Sequence, residues 1–423
     1  MADDRLLMLM PYRQFFAKAA AEGFRIHSIW DPRYQPAAYL DEIAELSEEM
    51  ILADFRDERA LRALVRETAR RHEVAHVLHL GKEDSQLPVC EEARSLGLAP
   101  NPPGALAGIN DKAAMRRLLR DHGLSPVRSI EVAAPEQARE AVRELGPPVV
   151  VKPTCLDGSR AVRLVRDVRD LDGWVTDLAA YGYSGPVLVE EYLRGDEFSV
   201  ETFTVQGRHH VVGVTAKRLA PPPGFVEMGH VHPAPLPEPE RAAIAEPVVA
   251  LLDAAGYRFG PAHTEVILTA AGPRIVESQT RIGGDRIPLL VEIATGFDIE
   301  AAVFRALAGK PVRPGAATRT ACVSFFDFGP GRVESVAGLE EAGRLAFVHE
   351  LRLGFGPGDV LPPVVDSGSR HGHVVVEAAS EKQANERTAV VRALLRVVVR
   401  PDDRPSSSAV SPSAGSSPPT DGK

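Results

Sequence analysis

The sequence predicts a multidomain protein of mixed α/β and α+β class, and three observations support this prediction. A chain of 423 residues has the length of two or three ordinary domains. Over residues 1–103, short apolar runs alternate with helical stretches, which is typical of a parallel sheet covered by helices. Residues 146–300 are instead rich in strands and turns, and residues 318–400 return to a mixture of strands and helices.

The elements of the N-terminal part are predicted from its apolar runs and from the prolines and glycines that interrupt them. Strands are predicted at 6–10, 25–29 and 74–80, and a helix at 13–22. The segment Asn101-Pro-Pro-Gly104 marks the end of this unit, because proline and glycine interrupt regular structure. A basic amphipathic helix is predicted from Lys112 to His122, and Gly123 ends it.

The remaining elements complete the predicted organisation. Strands are expected at 149–152, 161–165, 187–190, 197–204 and 210–215, and helices at 239–256 and 381–395. Residues 221–238 are proline-rich and are predicted to form a long loop, which in a compact domain is usually functional or disordered. Seven serines and five prolines fill 12 of the last 23 positions, so a disordered tail is expected there. The predicted divisions are 1–103, 104–310 with a flap near 146–205, 311–400, and the tail 401–423.

Composition excludes several classes of protein. The net charge of −9 lacks the basic footprint of a nucleic-acid-binding protein. The chain contains no run of about 18 apolar residues, so we expect no membrane span. Three widely spaced cysteines and an acidic N-terminus without a signal peptide favour the cytoplasm. Only 8 of the 49 basic residues are lysine, so a position that keeps lysine suggests a need for a compact point charge.

Two glutamates in a predicted hairpin give the strongest physical signal. Glu265 and Glu277 are equidistant from Ala271, so a symmetric hairpin pairs them directly. His263 then faces Gln279 on the same side of the sheet. Two opposed carboxylates repel each other unless a cation lies between them or one is protonated, and oxygen ligands at this spacing suit magnesium. A solvated strand face, or a turn with a different register, is the alternative.

Lys152 ends the apolar run that begins at Pro148, and a short loop with Gly158 and Ser159 follows it. A loop of small residues between two strands forms a flexible flap whose backbone N–H groups could cover phosphates. It is not a Walker A loop, because no Gly-Lys-Ser/Thr sequence opens a helix. Taken alone, the segment is better explained as an ordinary hairpin turn.

A second strand runs into a polar bend, from Val187 through Glu190 to Leu193. The end of such a strand exposes backbone donors and acceptors that can bind the edge of a purine. A later carboxylate, Glu197, is placed to reach a ribose. Considered without other motifs, this segment is more simply a strand end with exposed acids.

The order of these motifs over residues 1–400 resembles the ATP-grasp superfamily of carboxylate–amine ligases. The sequence shows Asn110-Asp-Lys112 opening a helix, Lys152 before the flap, Glu190-Glu-Tyr-Leu and then the acidic hairpin. His263-Thr-Glu265 and Arg281-Ile-Gly-Gly-Asp285 further resemble bacterial L-amino-acid ligases that make dipeptides. The resemblance implies a Rossmann-like N-terminal domain, a central ATP-grasp flap domain and a mixed C-terminal domain.

The resemblance also implies roles for the residues that match the family's motifs. The implied ATP contacts are Lys112, Lys152, Gly158, Ser159, Glu190, Leu193 and Glu197. The implied ligands of Mg²⁺ or Mn²⁺ are Glu265, Glu277 and Gln279, the last standing where the family usually has asparagine. The implied catalytic residues are Lys217, as a further phosphate contact, and Arg281, which would steady the transferred phosphate and the acyl intermediate. The implied substrate contacts are His230, His232, Arg281, Gly283 and Gly284.

The implied activity is an ATP-dependent ligation of a carboxylate, from an amino acid or a related small acid, to an amine. It would proceed through an acyl phosphate and release ADP and phosphate. The alternatives are a biotin-carboxylase or purine-pathway type of ATP-grasp enzyme, a non-catalytic nucleotide-binding protein of the same fold, or an unrelated α/β binding protein. Small-molecule substrates are the expected partners, with neither nucleic acid nor membrane, and a homodimer stays open.

Overall fold

A parallel four-stranded sheet forms the N-terminal part of the computed structural model, which describes residues 4–156, 160–220 and 225–401. Its strands are β1 (Arg5–Leu9), β2 (Arg25–Trp30), β3 (Glu49–Leu52) and β4 (His76–His79), in the order β3-β2-β1-β4. Its helices are α1 (Arg13–Ala21), α2 (Ala37–Leu46), α3 (Glu58–Arg71) and α4 (Glu83–Ser95). Leu6, Leu7 and Met8 are fully buried in the central strand, as expected for a parallel sheet covered on both faces. The predicted parallel α/β arrangement is confirmed.

Strand β3 was not predicted from the sequence. Its four residues, Glu49-Met-Ile-Leu52, lie at the edge of the sheet and are mostly half-buried. The segment directly follows acidic residues at the end of α2 and contains no long apolar run. A short edge strand of this kind leaves almost no periodic signal.

A small antiparallel sheet follows two helices in the next part of the chain. The helices before it are α5 (Pro103–Asn110) and α6 (Lys112–Asp121). Its elements are β5 (Ser129–Val132), α7 (Ala138–Leu145), β6 (Val149–Pro153), β7 (Arg163–Val165), α8 (Trp174–Ala180) and β8 (Val187–Glu191). The strand order is β5-β8-β6-β7, with one apolar core between the strands and the helices. The Asp111 side chain accepts a hydrogen bond from the backbone of Ala114 at 2.6 Å, which caps α6 and begins the helix at Lys112.

The largest sheet spans the rest of the chain. Its first half contains β9 (Gly195–Val205), β10 (Arg208–Leu219), β11 (Glu227–His232), α9 (Glu238–Ala255), β12 (Phe259–Thr269), β13 (Gly272–Gln279), α10 (Ile287–Thr295) and α11 (Ile299–Leu307). The rest of the chain contains β14 (Thr320–Phe325), β15 (Gly331–Ala337), α12 (Leu339–Gly343), β16 (Val348–Leu353), β17 (Val360–Leu361), β18 (Gly372–Ala378), α13 (Glu381–Leu394) and β19 (Arg396–Arg400). Three of these strands form a separate sheet in the order β17-β15-β19. Eight strands pair in the order β13-β12-β9-β10-β11-β14-β18-β16. The sheet therefore runs continuously across residue 310, because β11 pairs with β14.

Two expectations about this region were wrong. Residues 227–232 were predicted to lie in a proline-rich loop but form β11, because they pair with β10 on one side and β14 on the other. The chain was also expected to close with a helix near 381–395, but β19 follows α13 and pairs with β15. Residues 221–224 and 402–423, which include nearly all of the predicted tail, lie outside the described residues.

No helix in the described parts of the chain combines the length and the apolar character needed to cross a membrane.

Candidate active site

The acidic hairpin consists of β12 and β13, and its predicted register is confirmed. Glu265 pairs with Glu277, and His263 pairs with Gln279. The geometry behind this pairing differs from the symmetric hairpin that was expected. Near the turn Thr269 pairs with Gly272, and a β-bulge then shifts the register by one residue before Glu265 is reached. The bulge therefore brings the two carboxylates opposite each other.

These strands form one wall of a cavity of about 1780 Å³ that extends to both the N-terminal and the C-terminal parts. Twelve of the residues expected at the site line it: Lys112, Lys152, Glu190, Leu193, Glu197, Lys217, Glu265, Glu277, Gln279, Arg281, Gly283 and Gly284. Gly158 and Ser159 lie outside the described residues. His230 and His232 are not part of the lining.

Lys112 lies at the start of α6 and faces the hairpin. Its Nζ is 2.9 Å from a carboxylate oxygen of Glu277 and donates to the backbone carbonyl of Leu156 at 3.0 Å. Burial alone would lower the pKa of this ammonium group, but Glu277, Glu83 and Glu265 raise it above its ordinary value. The lysine is therefore a fixed positive charge at the cavity wall.

Lys152 shares a buried carboxylate with an arginine that the sequence analysis missed. Glu190 lies between Lys152 Nζ, at 2.6 Å, and the guanidinium of Arg116, which is hydrogen-bonded to it. Burial would raise the pKa of Glu190, but Arg116 and Lys152 lower it to about 2. Burial lowers the pKa of Lys152 despite this partner. Arg116 belongs to the run Met115-Arg-Arg-Leu-Leu-Arg120, in which nothing distinguishes it from the surface arginines of the same helix.

Lys217 connects the hairpin to a second carboxylate that was also missed. Its Nζ is 2.5 Å from Glu227 and is hydrogen-bonded to Glu265 as well. Burial opposes the charge on Lys217, but Glu227 and Glu265 raise its pKa well above the ordinary value. Burial, together with Glu265 and Glu227, raises the pKa of the neighbouring Glu197 to about 7 against the opposing effect of Lys217. Glu227 was overlooked because its strand was taken for a loop.

Gln279 presents an amide oxygen that has no hydrogen-bond partner among the described residues, although that oxygen is buried. Its Nε2 donates to Glu277 at 3.3 Å, which orients the amide. A buried acceptor without a donor is costly, so it points to a group that would satisfy it. Together with Glu265 and Glu277 it forms an all-oxygen set, which suits a hard divalent cation. The residues present therefore fit the expected metal.

A buried pair, His263 and Glu201, lies next to the candidate metal ligands. His263 Nδ1 lies 2.8 Å from Glu201 Oε1, and His263 Nε2 lies 3.6 Å from Glu265. Burial alone would lower the pKa of His263, but Glu201 and Glu265 raise it to about 9. A β-carbon added to Gly283 would lie 2.9 Å from Glu201 and 3.0 Å from His263. Glycine at this position therefore allows the loop to pass close to the pair.

Arg281 lines the cavity immediately after β13. Its Nε is hydrogen-bonded to Glu83, at the start of α4 in the N-terminal part, and its Nη1 donates to the carbonyl of Ile282 at 2.9 Å. Arg281 thus contacts the N-terminal sheet domain while facing the same space as the lysines.

The two histidines of β11 were expected to touch substrate, and the structure places neither in the cavity lining. His230 is fully buried behind Asp285, with its Nε2 3.1 Å from the Asp285 carboxylate. His232 points into the core, where its Nδ1 lies 2.9 Å from the Thr215 hydroxyl. Strand pairing on both sides of β11 holds them there, and so a direct substrate contact of His232 is withdrawn.

The burial of His232 predicts a pH dependence of stability. Burial lowers its pKa from 6.5 to about 4, against a smaller opposing effect of Glu201. Below about pH 6.5, His232 binds a proton in the unfolded chain but stays neutral in the folded chain. The stability of the folded chain therefore falls by up to about 1.4 kcal/mol for each pH unit. This loss of stability continues until the pH reaches the pKa of His232 in the folded chain.

We therefore expect His232→Gln to lose less stability than the wild type between pH 7 and pH 5. The measurement is the temperature of the first unfolding transition at several pH values for both proteins. His122→Gln is the matched control, because the His122 side chain is exposed. Identical slopes for wild type and His232→Gln would contradict a buried, neutral His232.

Comparison with known proteins adds two matched family models. Residues 145–288 match the ATP-grasp domain, and residues 324–400 match the L-amino acid ligase C-terminal domain 2. The first range contains β6–β13 and the first two residues of α10. The second contains β15–β19 and the last two residues of β14.

Individual relatives agree with these matches. The chain is 30% identical over 301 residues to the uncharacterized protein y4rH of Sinorhizobium fredii, covering 69% of this chain and 62% of that protein. It is 26% identical over 235 residues to alanine–anticapsin ligase of Bacillus subtilis, covering 50% and 49%. The chain thus spans about half to three-fifths of the length of these relatives.

A solved structure shows the same fold. The crystal structure of L-amino acid ligase from Bacillus licheniformis superimposes with a TM-score of 0.79 at 24% sequence identity, covering 94% of this chain and 99% of that chain. Residues 145–288 are therefore an ATP-grasp domain, and residues 324–400 are the C-terminal domain 2 of L-amino acid ligases.

Proposed function

We propose that the protein is an ATP-dependent carboxylate–amine ligase that forms an amide bond between a small acid, from the amino-acid class, and an amine. The observation that carries the proposal is the convergence of Lys112, Lys152 and Lys217 with the Glu265–Glu277 pair on one cavity. Five of the chain's eight lysines line this cavity, because Lys18 and Lys82 join these three. Such a site concentrates positive charge and metal ligands where a triphosphate would have to bind.

In the proposed reaction an oxygen of the substrate carboxylate attacks the γ-phosphorus of ATP. The bond from that phosphorus to the β–γ bridging oxygen breaks, giving an acyl phosphate and ADP. The amine then attacks the acyl carbon, loses a proton and displaces phosphate. Because phosphoryl transfer depends mainly on positioning and charge stabilisation, the residues' task is to hold the phosphates and neutralise developing charge.

The metal ligands of the proposal are Glu265, Glu277 and Gln279. A bound magnesium or manganese ion would neutralise charge on the phosphate oxygens. The unsatisfied Gln279 oxygen supports its place in the set, since glutamine supplies the same amide oxygen as the family's usual asparagine on a longer stem. His263, held by Glu201, would orient the Glu265 carboxylate.

The three lysines and Arg281 would contact the transferred phosphate and its neighbours. Each lysine is held by at least one carboxylate, which fixes the position of its positive charge. Leu193 and Glu197, at the junction of β8 and β9, remain the proposed contacts for the adenosine part. The Glu190 side chain is engaged by Arg116 and Lys152, so its proposed role is to position Lys152.

The amino-acid class of substrate is supported by the matched C-terminal domain and by the similarity to alanine–anticapsin ligase. The test is ADP release measured over pairs of amino acids with MgATP, followed by mass spectrometry of the products. We expect ADP release that needs both substrates and a product whose mass is the sum of the two minus water. Release with bicarbonate instead, or nucleotide binding without substrate-dependent ADP release, would reject the proposal.

Gly283, in the loop before α10, allows a sharper test of the support behind the metal ligands. Gly283→Ala should lower ADP release by about tenfold or more, because the added methyl group would displace Glu201 or His263 and misplace Glu265. Gly343→Ala is the control, since its added β-carbon would meet no atom within 4 Å and Gly343 lies outside the cavity lining. Equal activity of the two variants would show that the close approach at Gly283 does not matter.

A further inference from the structure

Three side chains that can bind a metal ion lie together in the N-terminal part of the protein, outside the cavity lining. They are His27 on β2, Glu49 on β3, and His72 at the C-terminal cap of α3. We call this set the edge cluster, because β3 is an outer strand of the parallel sheet. One ring nitrogen or carboxylate oxygen from each residue lies within 4.8 Å of those of the other two.

His27 has a buried side chain whose polar atoms are not satisfied. It is only 5% exposed, yet neither of its ring nitrogens has a hydrogen-bond partner among the described residues. The ring stacks on that of His72, with the centroids 3.9 Å apart, and His27 pairs with Glu49 across the parallel strands. A buried imidazole that neither donates nor accepts a hydrogen bond is costly. The buried ring therefore points to a group that would bind one of its nitrogens.

The contacts of His72 Nε2 cannot both be hydrogen bonds. This nitrogen lies 2.6 Å from an oxygen of Glu49 and 3.1 Å from Nε of Arg71. A ring nitrogen carries either a proton, which it can donate to the carboxylate, or a lone pair, which can accept from the guanidinium. Because it cannot do both, one of these contacts is unfavourable. A metal cation between His72 and Glu49 would satisfy the ring lone pair and the carboxylate together.

The edge cluster is accessible from the solvent. The side chains of His72 and Glu49 are 23% and 37% exposed, and that of Arg71 is 46% exposed. Arg71 donates to the same Glu49 oxygen at 2.5 Å, so a positive charge already lies beside this carboxylate. A half-exposed arginine can turn into water and leave the oxygen to a metal ion. The His72 ring must turn as well, since the lone pairs of two stacked rings do not point to one ion.

We propose that the edge cluster binds a zinc ion through His27, Glu49 and His72, with water as the fourth ligand. Zinc takes two imidazoles and one carboxylate at distances of about 2.0–2.2 Å. Magnesium favours oxygen ligands, so the edge cluster and the acidic hairpin select different ions. The zinc ion connects β2, β3 and the end of α3, and it fixes an outer strand that pairs only with β2. The site is independent of the ligase activity, because none of its ligands lines the cavity.

The test measures the zinc bound by the full chain without a purification tag, after dialysis against zinc chloride with excess magnesium to fill the oxygen-ligand site. Elemental analysis should find one tightly bound zinc ion per chain. His72→Gln should weaken zinc binding by at least about a hundredfold, since even the loss of an outer partner of a metal ligand costs about ten- to a hundredfold. Zinc should also raise the unfolding temperature of the wild type and not that of His72→Gln.

His349→Gln is the matched control. His349 lies 3.2 Å from Glu377, and both side chains are partly exposed, as in the pair of His72 and Glu49. In the described parts of the chain, no third histidine, cysteine or acid completes a metal-binding group with these two residues. His349→Gln should therefore keep the zinc ion and its stabilising effect.

Two further measurements distinguish a specific site from binding of zinc to the surface. Cobalt(II) in place of zinc should give the strong visible absorption of a four-coordinate ion, and His27→Gln should lose that absorption. Because His27 is buried and its replacement can impair folding, Glu49→Gln serves as the second variant, and circular dichroism shows that each variant is folded. A wild type that binds no zinc, or zinc binding of equal strength in the wild type, His72→Gln and Glu49→Gln, would overturn the proposal.

Discussion

Glu277→Gln should abolish ADP formation, with a loss of at least about 10³-fold in turnover. Glu277 faces Glu265 across the hairpin, accepts from Gln279 and lies 2.9 Å from Lys112. Glutamine has nearly the same shape and keeps one oxygen, so Lys112 retains an acceptor and the hairpin can form. What is lost is the negative charge that a divalent cation needs opposite Glu265.

The measurement is the initial rate of ADP release at saturating MgATP, with the rate repeated over a range of magnesium concentrations. Glu246→Gln, which changes an exposed carboxylate on α9, controls for the general effect of such a replacement. The thermal unfolding temperature of Glu277→Gln should stay close to that of the wild type. Wild-type turnover in this variant would show that the carboxylate pair does not hold the metal.

Glu190→Gln should destabilise the protein by about 3–5 kcal/mol, the usual cost of breaking a buried ion pair. Its carboxylate is the shared partner of Arg116 and Lys152, and all three side chains are 4–6% exposed. A neutral amide cannot compensate two buried cations. Arg116 also donates to the carbonyl oxygens of Ile275 and Val276, so the effect should reach the bulge of the acidic hairpin.

The neighbouring residue supplies the control. Glu191 pairs with Arg128 at 3.3 Å, and the Arg128 side chain is 65% exposed. Glu191→Gln should therefore cost about 0–1 kcal/mol, as exposed ion pairs do. Because a protein of this size does not unfold in one step, the comparison should use the lowest-temperature unfolding transition of each variant. Equal temperatures of this transition for Glu190→Gln and Glu191→Gln would show that Glu190 does not stabilise the protein through Arg116 and Lys152.

Much of the fold and of the site could be predicted because the relevant signals are local. Alternating apolar strands and helices identified the parallel sheet, and the spacing of Glu265 and Glu277 identified their pairing. The pairing itself depends on a bulge at Val276, which has no sequence signal in an otherwise regular strand. In this case two unpredicted features, a two-residue turn and a bulge, cancelled and left the expected register.

The residues that were missed depend on contacts between distant segments. Arg116 meets Glu190 and the hairpin, and Glu227 meets Lys217, only after the sheets have formed. Glu227 was further hidden because prolines around β11 suggested a loop. The burial of His230 and His232 has the same origin, since neighbouring strands β10 and β14 enclose them.

In the proposed mechanism, a carboxylate oxygen of the substrate acid attacks ATP and is later released as part of the phosphate. An oxygen isotope label follows this atom directly. A substrate acid labelled with ¹⁸O in its carboxylate, incubated with its amine and MgATP, should transfer one labelled oxygen to the released phosphate. The amide product should retain the other. Phosphate that carries no label, while amide forms at the normal rate, would contradict an acyl phosphate intermediate and with it the proposed mechanism.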